Sequence, residues 1–185
     1  MLLVLPPVLG IALGLLTGGS VVNLERIRVR WIWFFVAAVI VRAAAGFTPL
    51  GGADWIRYLY LGFDVAILAW SLMQLRVLPG IWILSLGLAL NILVIAANGV
   101  HMPVSPESGF RPIHPGGTYV VADASTRLGW LDDWLGIPGW LGGAASPGDL
   151  LIAFGIGAVA FMATRFSGST TKLENPQAGS ETGRE

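Results

Sequence analysis

Polar and apolar positions fall in blocks along this chain. Five apolar stretches run from about Leu2 to Gly18, Trp31 to Phe47, Ile56 to Leu75, Gly80 to Asn98 and Pro147 to Arg165, divided by shorter segments rich in Gly, Pro and charge. Each approaches the roughly 17 to 25 residues that a spanning helix needs, and each is too long for a core strand. The pattern predicts an all-α fold, a polytopic transmembrane helical bundle over residues 1–165 with five spans and a long extracytoplasmic loop at 99–146. The first stretch has no basic residue before it and no small-residue cleavage pattern, so it reads as a retained helix and not a signal peptide.

The block edges carry their own signals. Asn98-Gly99 supplies a helix stop, because both residues accept the left-handed conformation that closes a C-terminus, and Pro103 and Pro106 prevent resumption. Ser146-Pro147-Gly148-Asp149 reads as a helix start: Ser146 as N-cap, Pro147 in the first helical position, Asp149 as the third-position carboxylate reaching back. Between them, "ASTRLGWLDDWLGIPG" predicts a short interfacial helix capped by Ser125 or Thr126. Its Trp130, Leu131, Trp134 and Leu135 form an apolar face and Asp132 and Asp133 a wet one. Such an element serves as a lid over the bundle mouth or as an interfacial anchor.

Composition agrees with a bilayer environment. Hydrophobic residues make up 55% and charged ones 12%, against about 25% charge in ordinary soluble domains. Eleven basic and eleven acidic residues cancel, so there is no basic footprint for nucleic acid. Cysteine is absent, which removes disulfides and thiolate sites together. Arg26, Arg28, Arg30, Arg76, Arg165, Lys172 and Arg184 fall on one side of the five-span arrangement, which sets the N-terminus outside and the C-terminus in the cytoplasm. Trp31, Trp33 and Trp82 then mark the inner boundary and Trp55 the outer one. The tail at 166–185, poor in apolar residues, is expected to be a disordered cytoplasmic end.

Three groups of residues are candidates for more than packing. Gly10, Gly14 and Gly18 recur every four residues and let a helix approach closely, either within the chain or as a helix-helix partner surface. Arg42, Asp64 and Asn91 come to similar depths by helical rise and form a candidate polar binding layer, or a charge pair that fixes helix register. On the outer loop, Asn98, His101, Asp123 and Arg127 form a second candidate binding group, with His114 nearby in sequence. Histidine beside a carboxylate suits proton shuttling, and arginine suits a lipid phosphate. The His and Asp spacings match no metal motif, so neither a metal nor a cofactor is expected. No Ser-x-x-Lys, Gly-x-Ser-x-Gly, His-Glu-x-x-His or P-loop pattern occurs, so an enzyme would lack its usual signature.

The stretches "NGVHMPV" (98–104), "ASTRLGWLDDWLGIPG" (124–139) and "SPGDLLIAFGIG" (146–157), in this order after four apolar segments, resemble a family of small bacterial membrane proteins known as domain of unknown function 5317. That resemblance implies the bacterial inner membrane and assigns no chemistry. The expectation is a small-molecule or lipid-headgroup binding or transport-type bundle in the lipid bilayer. The alternatives are a membrane enzyme acting on a lipid, with His101, His114 or Asp123 as acid or base, or an accessory subunit of a larger complex.

Overall fold

The computed structural model describes residues 5–26, 29–46, 53–110, 117–137 and 143–165, apart from the side chains of Arg26, Val39 and residues 42–46. Among the described residues there are six α-helices: α1 (Leu5–Leu16), α2 (Val22–Arg26), α3 (Ile32–Gly46), α4 (Ile56–Met73), α5 (Ile81–Ala97) and α6 (Pro147–Arg165). Four short strands lie between α5 and α6. β1 (Met102–Val104) pairs in parallel with β2 (Tyr119–Val121), and β3 (Leu135–Ile137) pairs antiparallel with β4 (Gly143–Ala145).

This corrects the expected five-span, all-helical bundle. Only α4 and α6, with 18 and 19 residues, are long and apolar enough to cross a membrane among the described residues. Glycines bound two of the other runs. α1 has 12 described residues, about 18 Å of helix at the standard rise, against a hydrocarbon core of about 30 Å. It ends at Thr17-Gly18, where Gly18 takes φ 90°, and α5 starts only after Gly80 at φ 85°. The segment at 99–146 is also more than a helical loop, since its strands fold into a small cap.

α6 is the hub, packed against α1 on one side and α5 on the other. Small residues make both contacts possible. Gly10 and Gly14 are buried against Gly157, Ala160 and Thr164, so the glycine strip of α1 is occupied within the chain. On the other side Gly87 sits so close to α6 that an added Cβ would lie 2.5 Å from the Gly148 carbonyl oxygen. Gly18 takes no part in the strip and serves the turn instead. A second cluster, Ala38, Ile67, Trp70, Leu78, Ile81, Leu84 and Leu88, ties α3, α4 and α5 together, with Phe35 stacked on Trp70 at 4.8 Å.

The elements define two ends. At one, the amide of Ser20 and the side-chain amide of Asn23 donate to the Thr164 carbonyl, left open by the end of α6. Trp70 and Gln74, at the end of α4, both donate to the Arg30 carbonyl. Arg30, Arg76 and Arg165 therefore gather at this basic end. At the other end lie the start of α4, the end of α5, the start of α6 and the cap. Exposed tryptophans mark both: Trp31, Trp33 and Trp82 at the basic end, Trp55, Trp130 and Trp134 at the cap end.

The cap reverses the expected interfacial helix. Residues 129–131 form only a 3-10 turn, entered through Leu128 at φ 56° and left through an extended Asp132, so no α-helical face forms. Trp130 and Trp134 are exposed while Leu131, Asp132 and Asp133 are buried, at 1%, 6% and 4% exposure. The reason is the fully buried β1. It is flanked on one edge by β2 and on the other by Asp133, whose amide donates to the Pro103 carbonyl (3.0 Å) while its carbonyl accepts from Ser105 (3.2 Å). Met102 and Leu131 then pack on Val94 of α5 and anchor the cap to the bundle.

Candidate functional site

The cleft under the cap begins at the end of α5. The Val100 amide donates to the Ile95 carbonyl (2.9 Å), a six-to-one closure with Gly99 at φ 69°. Val100 itself stands at φ 66°, a conformation that costs a β-branched residue about 1–2 kcal/mol. This turn throws the chain sideways and sets the direction of His101.

Asn98 holds the opposite wall. Its side-chain oxygen accepts from the Arg127 amide and its side-chain nitrogen donates to the Arg127 carbonyl, both at 2.9 Å, so one amide side chain imitates a strand neighbour. Asp123 organises the turn that leads there. Its Oδ1 accepts from the Ser125 hydroxyl (2.6 Å) and amide (2.8 Å), while its own amide donates to Thr126 Oγ1 (2.8 Å). The Ser125 hydroxyl, and then its amide, hold the Asp123 carboxyl below its ordinary range.

His101 is committed at both nitrogens. A carbonyl only accepts, so Nδ1–H donates to Gly117 O (2.8 Å), which leaves the Nε2 lone pair to accept from Arg57 at 2.9 Å. Arg57, one residue into α4, also lies 3.8 Å from Asp54 and over the Tyr58 ring. The histidine therefore joins α4 to the cap, and neither ring nitrogen is spare for acid or base work in this state.

Together Asn98, His101, Asp123 and Arg127 line one cleft of about 230 Å³, with Ser125 and Thr126 beside them and Ala97, Val120 and Val121 as its apolar wall. All four residues of the outer-loop group are thus brought together. His114 lies outside the described residues, as does the side chain of Arg42. Asp64 is buried on α4. Asn91 turns to α6: its Nδ2 donates to Asp149 Oδ1 (2.8 Å) and its Oδ1 accepts from the Ser146 hydroxyl (2.9 Å). Ser146 and Asp149 complete a reciprocal cap, with the Asp149 amide donating to Ser146 Oγ (3.0 Å) and the Ser146 amide to Asp149 Oδ2 (3.1 Å).

Sequence reasoning missed the buried acids beside that cap. Asp132 and Asp133 each leave Oδ1 buried and, among the described residues, without a hydrogen-bond partner. Burial, then the neighbouring charges of Asp149 and Asp132, push the Asp133 carboxyl up to about 8; burial alone raises Asp132. The available signal was a doubled acid enclosed by apolar residues in "GWLDDWLG". Among the described residues no group of three or more His, Cys, Asp or Glu side chains has the arrangement to hold a metal ion.

No curated protein and no solved structure matches the chain. A family model described as a family of unknown function, DUF5317, matches residues 26–161, from the end of α2 through most of α6 and including the whole cap. α1 lies outside the match. With most of its length covered, including the cleft and the buried acids, the chain belongs to the DUF5317 family.

Proposed function

We propose that this protein is embedded in the bacterial inner membrane and uses the cleft under its cap to bind a small anionic amphiphile or lipid headgroup. The observation that carries the reading is the convergence of Asn98, His101, Asp123 and Arg127, from separate stretches of chain, on one cleft with an apolar wall. A volume near 230 Å³ suits a headgroup better than a drug-sized ligand, which takes about 300 to 1,000 Å³. Arg127 is exposed at its edge, and a guanidinium is the side chain best suited to a phosphate fork. The alternating polar and apolar lining fits a molecule with one charged end.

Two features support the membrane setting: span-length apolar helices α4 and α6, and exposed tryptophans at both ends of the bundle. Arg30, Arg76 and Arg165 share the end opposite the cap, which favours a cytoplasmic basic end and a cap on the outer face.

The test is retention of phospholipid by the full chain in nanodiscs made with anionic or zwitterionic lipid, read by native mass spectrometry. Arg127→Ala should lower retention of the anionic lipid about tenfold, the loss of one charge-assisted contact. Equal retention by the wild-type and Arg127→Ala proteins would overturn the reading.

A further inference from the structure

On the far edge of β1 from the cleft lies a second site. Asp133 is 96% removed from solvent by its 4% exposure, with Oδ1 unpartnered, and its backbone bonds on both sides to Pro103 and Ser105 make it the edge of the cap's central strand. A buried carboxylate with no donor is costly, and among the described residues no positive side chain faces this one. α5, β1, β3, β4 and the turn Gly129–Leu131 contain no charged residue. α6 presents Asp149, already engaged by Asn91 and Ser146; the preceding residue is Asp132; Glu107, in the turn after β1, is exposed. Among the described residues each charge facing Asp133 is therefore negative.

We infer that Asp133 is a proton-binding site, and that its bound proton latches the cap onto the start of α6. The negative charges of Asp149 and Asp132 act on a buried Asp133 carboxyl that no donor stabilises, so its ionisation is opposed on every count. Asn91 and Ser146 donate to or hold Asp149, so the proton resides on Asp133. In the docked cap the proton stays until about pH 8, whereas an undocked, hydrated Asp133 releases it near the ordinary value of about 4. Docking therefore binds a proton across that interval. The latch is at full strength below about pH 4, weakens as pH rises, and has lost its contribution above about pH 8. Because β2 lies on the other edge of β1, and its Val120 and Val121 line the cleft, loosening reaches the cleft wall. That last step alone rests on the cleft being the binding site.

Hydrogen exchange reads the latch without any ligand. In the full chain in nanodiscs, protection of the Ser105 and Asp133 amides, corrected for the chemical exchange rate, should fall up to tenfold per pH unit between pH 5 and 8 and then level. Asp133→Asn should abolish the slope and exceed wild-type protection at pH 8. A flat wild-type profile, or an unchanged slope in Asp133→Asn, would overturn the proposal. Should that variant fail to fold, the infrared band of a protonated carboxyl in the wild-type protein decides. It should persist at pH 7, vanish through about pH 8, and do so at lower pH in Asp132→Asn, which removes a like charge. Absence of the band at pH 7 sinks the latch, whereas a pH-dependent cap with no lipid retention would sink only the cleft reading.

Discussion

The junction of α5 with α6 and the cap folded over it treat buried polar groups in opposite ways. At the junction Asn91, Ser146 and Asp149 form a closed set: Asn91 and Ser146 each give and receive through their side chains, and the Asp149 carboxylate accepts from both residues, all within 3.1 Å. In the cap beside it, Asp132 and Asp133 are more deeply buried than Asn91 or Asp149 and have carboxyl oxygens with no partner among the described residues. A closed polar set rigidifies, while an open one stores a cost that a proton or a movement can relieve. Glycine contacts on both sides of α6 reinforce the first property. The cap hangs from the second, with Val100 and Leu128 held in left-handed conformations at its two corners. The bundle is built to stay and the cap to respond.

The strongest way to break this contrast is to wedge α5 from α6. Gly87→Leu places atoms where the Gly148 carbonyl and the Ile152 amide already are, so backbone must shift as well as the Ile152 side chain. Overpacking of this kind usually costs about 1–3 kcal/mol, and immovable backbone puts this site at or above the upper end. Thermal unfolding in detergent should show the loss for the whole chain. If only the cap's exchange rates change, the junction is not the rigid part.

A milder test removes one member of the closed set. Ser146→Ala takes the N-cap from α6 and leaves Asn91 Oδ1 without its donor. Loss of the cap costs about 0.5–2 kcal/mol and the orphaned amide oxygen about 1–3 kcal/mol more. The two regions then become alike, each with unsatisfied polar atoms. Stability measured by denaturant should fall by these amounts together; a loss below about 0.5 kcal/mol would mean that water replaces the hydroxyl and the set is not closed.

How far the sequence reveals all this differs between the two regions for physical reasons. Ser146, Pro147 and Asp149 name a helix start by local chemistry, and Asn98-Gly99 names a helix end, so both edges of the cap were legible. The glycine spacing in α1 announced a close contact, but which helix fills it depends on residues far along the chain. Span number was misread because an apolar run is not a helix of the same length: the first run continues through Thr17-Gly18, where α1 does not, and α3 and α5 close at 15 and 17 residues. The cap was least legible. Its strands have three residues each, and β1 is buried on both faces, so no alternation betrays it. Trp130 and Trp134 stand four apart as on a helix, yet Leu128 in the left-handed region starts a 3-10 turn that sends them outward and the acids in. Asn98, His101, Asp123 and Arg127 stood out as polar residues on one outer stretch, and the structure gathers them on one cleft, with Asn98 and Asp123 also closing the helix end and the turn there.

The smallest effect, and one opposite in sign, comes from relieving the cap's own strain. Val100→Gly removes a β-branched side chain from φ 66°, where the left-handed penalty is about 1–2 kcal/mol. Glycine returns about 0.5–1 kcal/mol of that gain through its greater freedom in the unfolded chain. The net expectation is a stabilisation of about 0.5–1 kcal/mol, a rise in Tm of about 2 °C for a chain of this size. In the same protein the His101 contact with Arg57 should weaken, because the turn no longer fixes the direction in which the imidazole leaves α5. A higher Tm with lower lipid retention would mean that the strain positions the cleft; a lower Tm would mean that the Val100 side chain contributes more by packing than its backbone conformation costs.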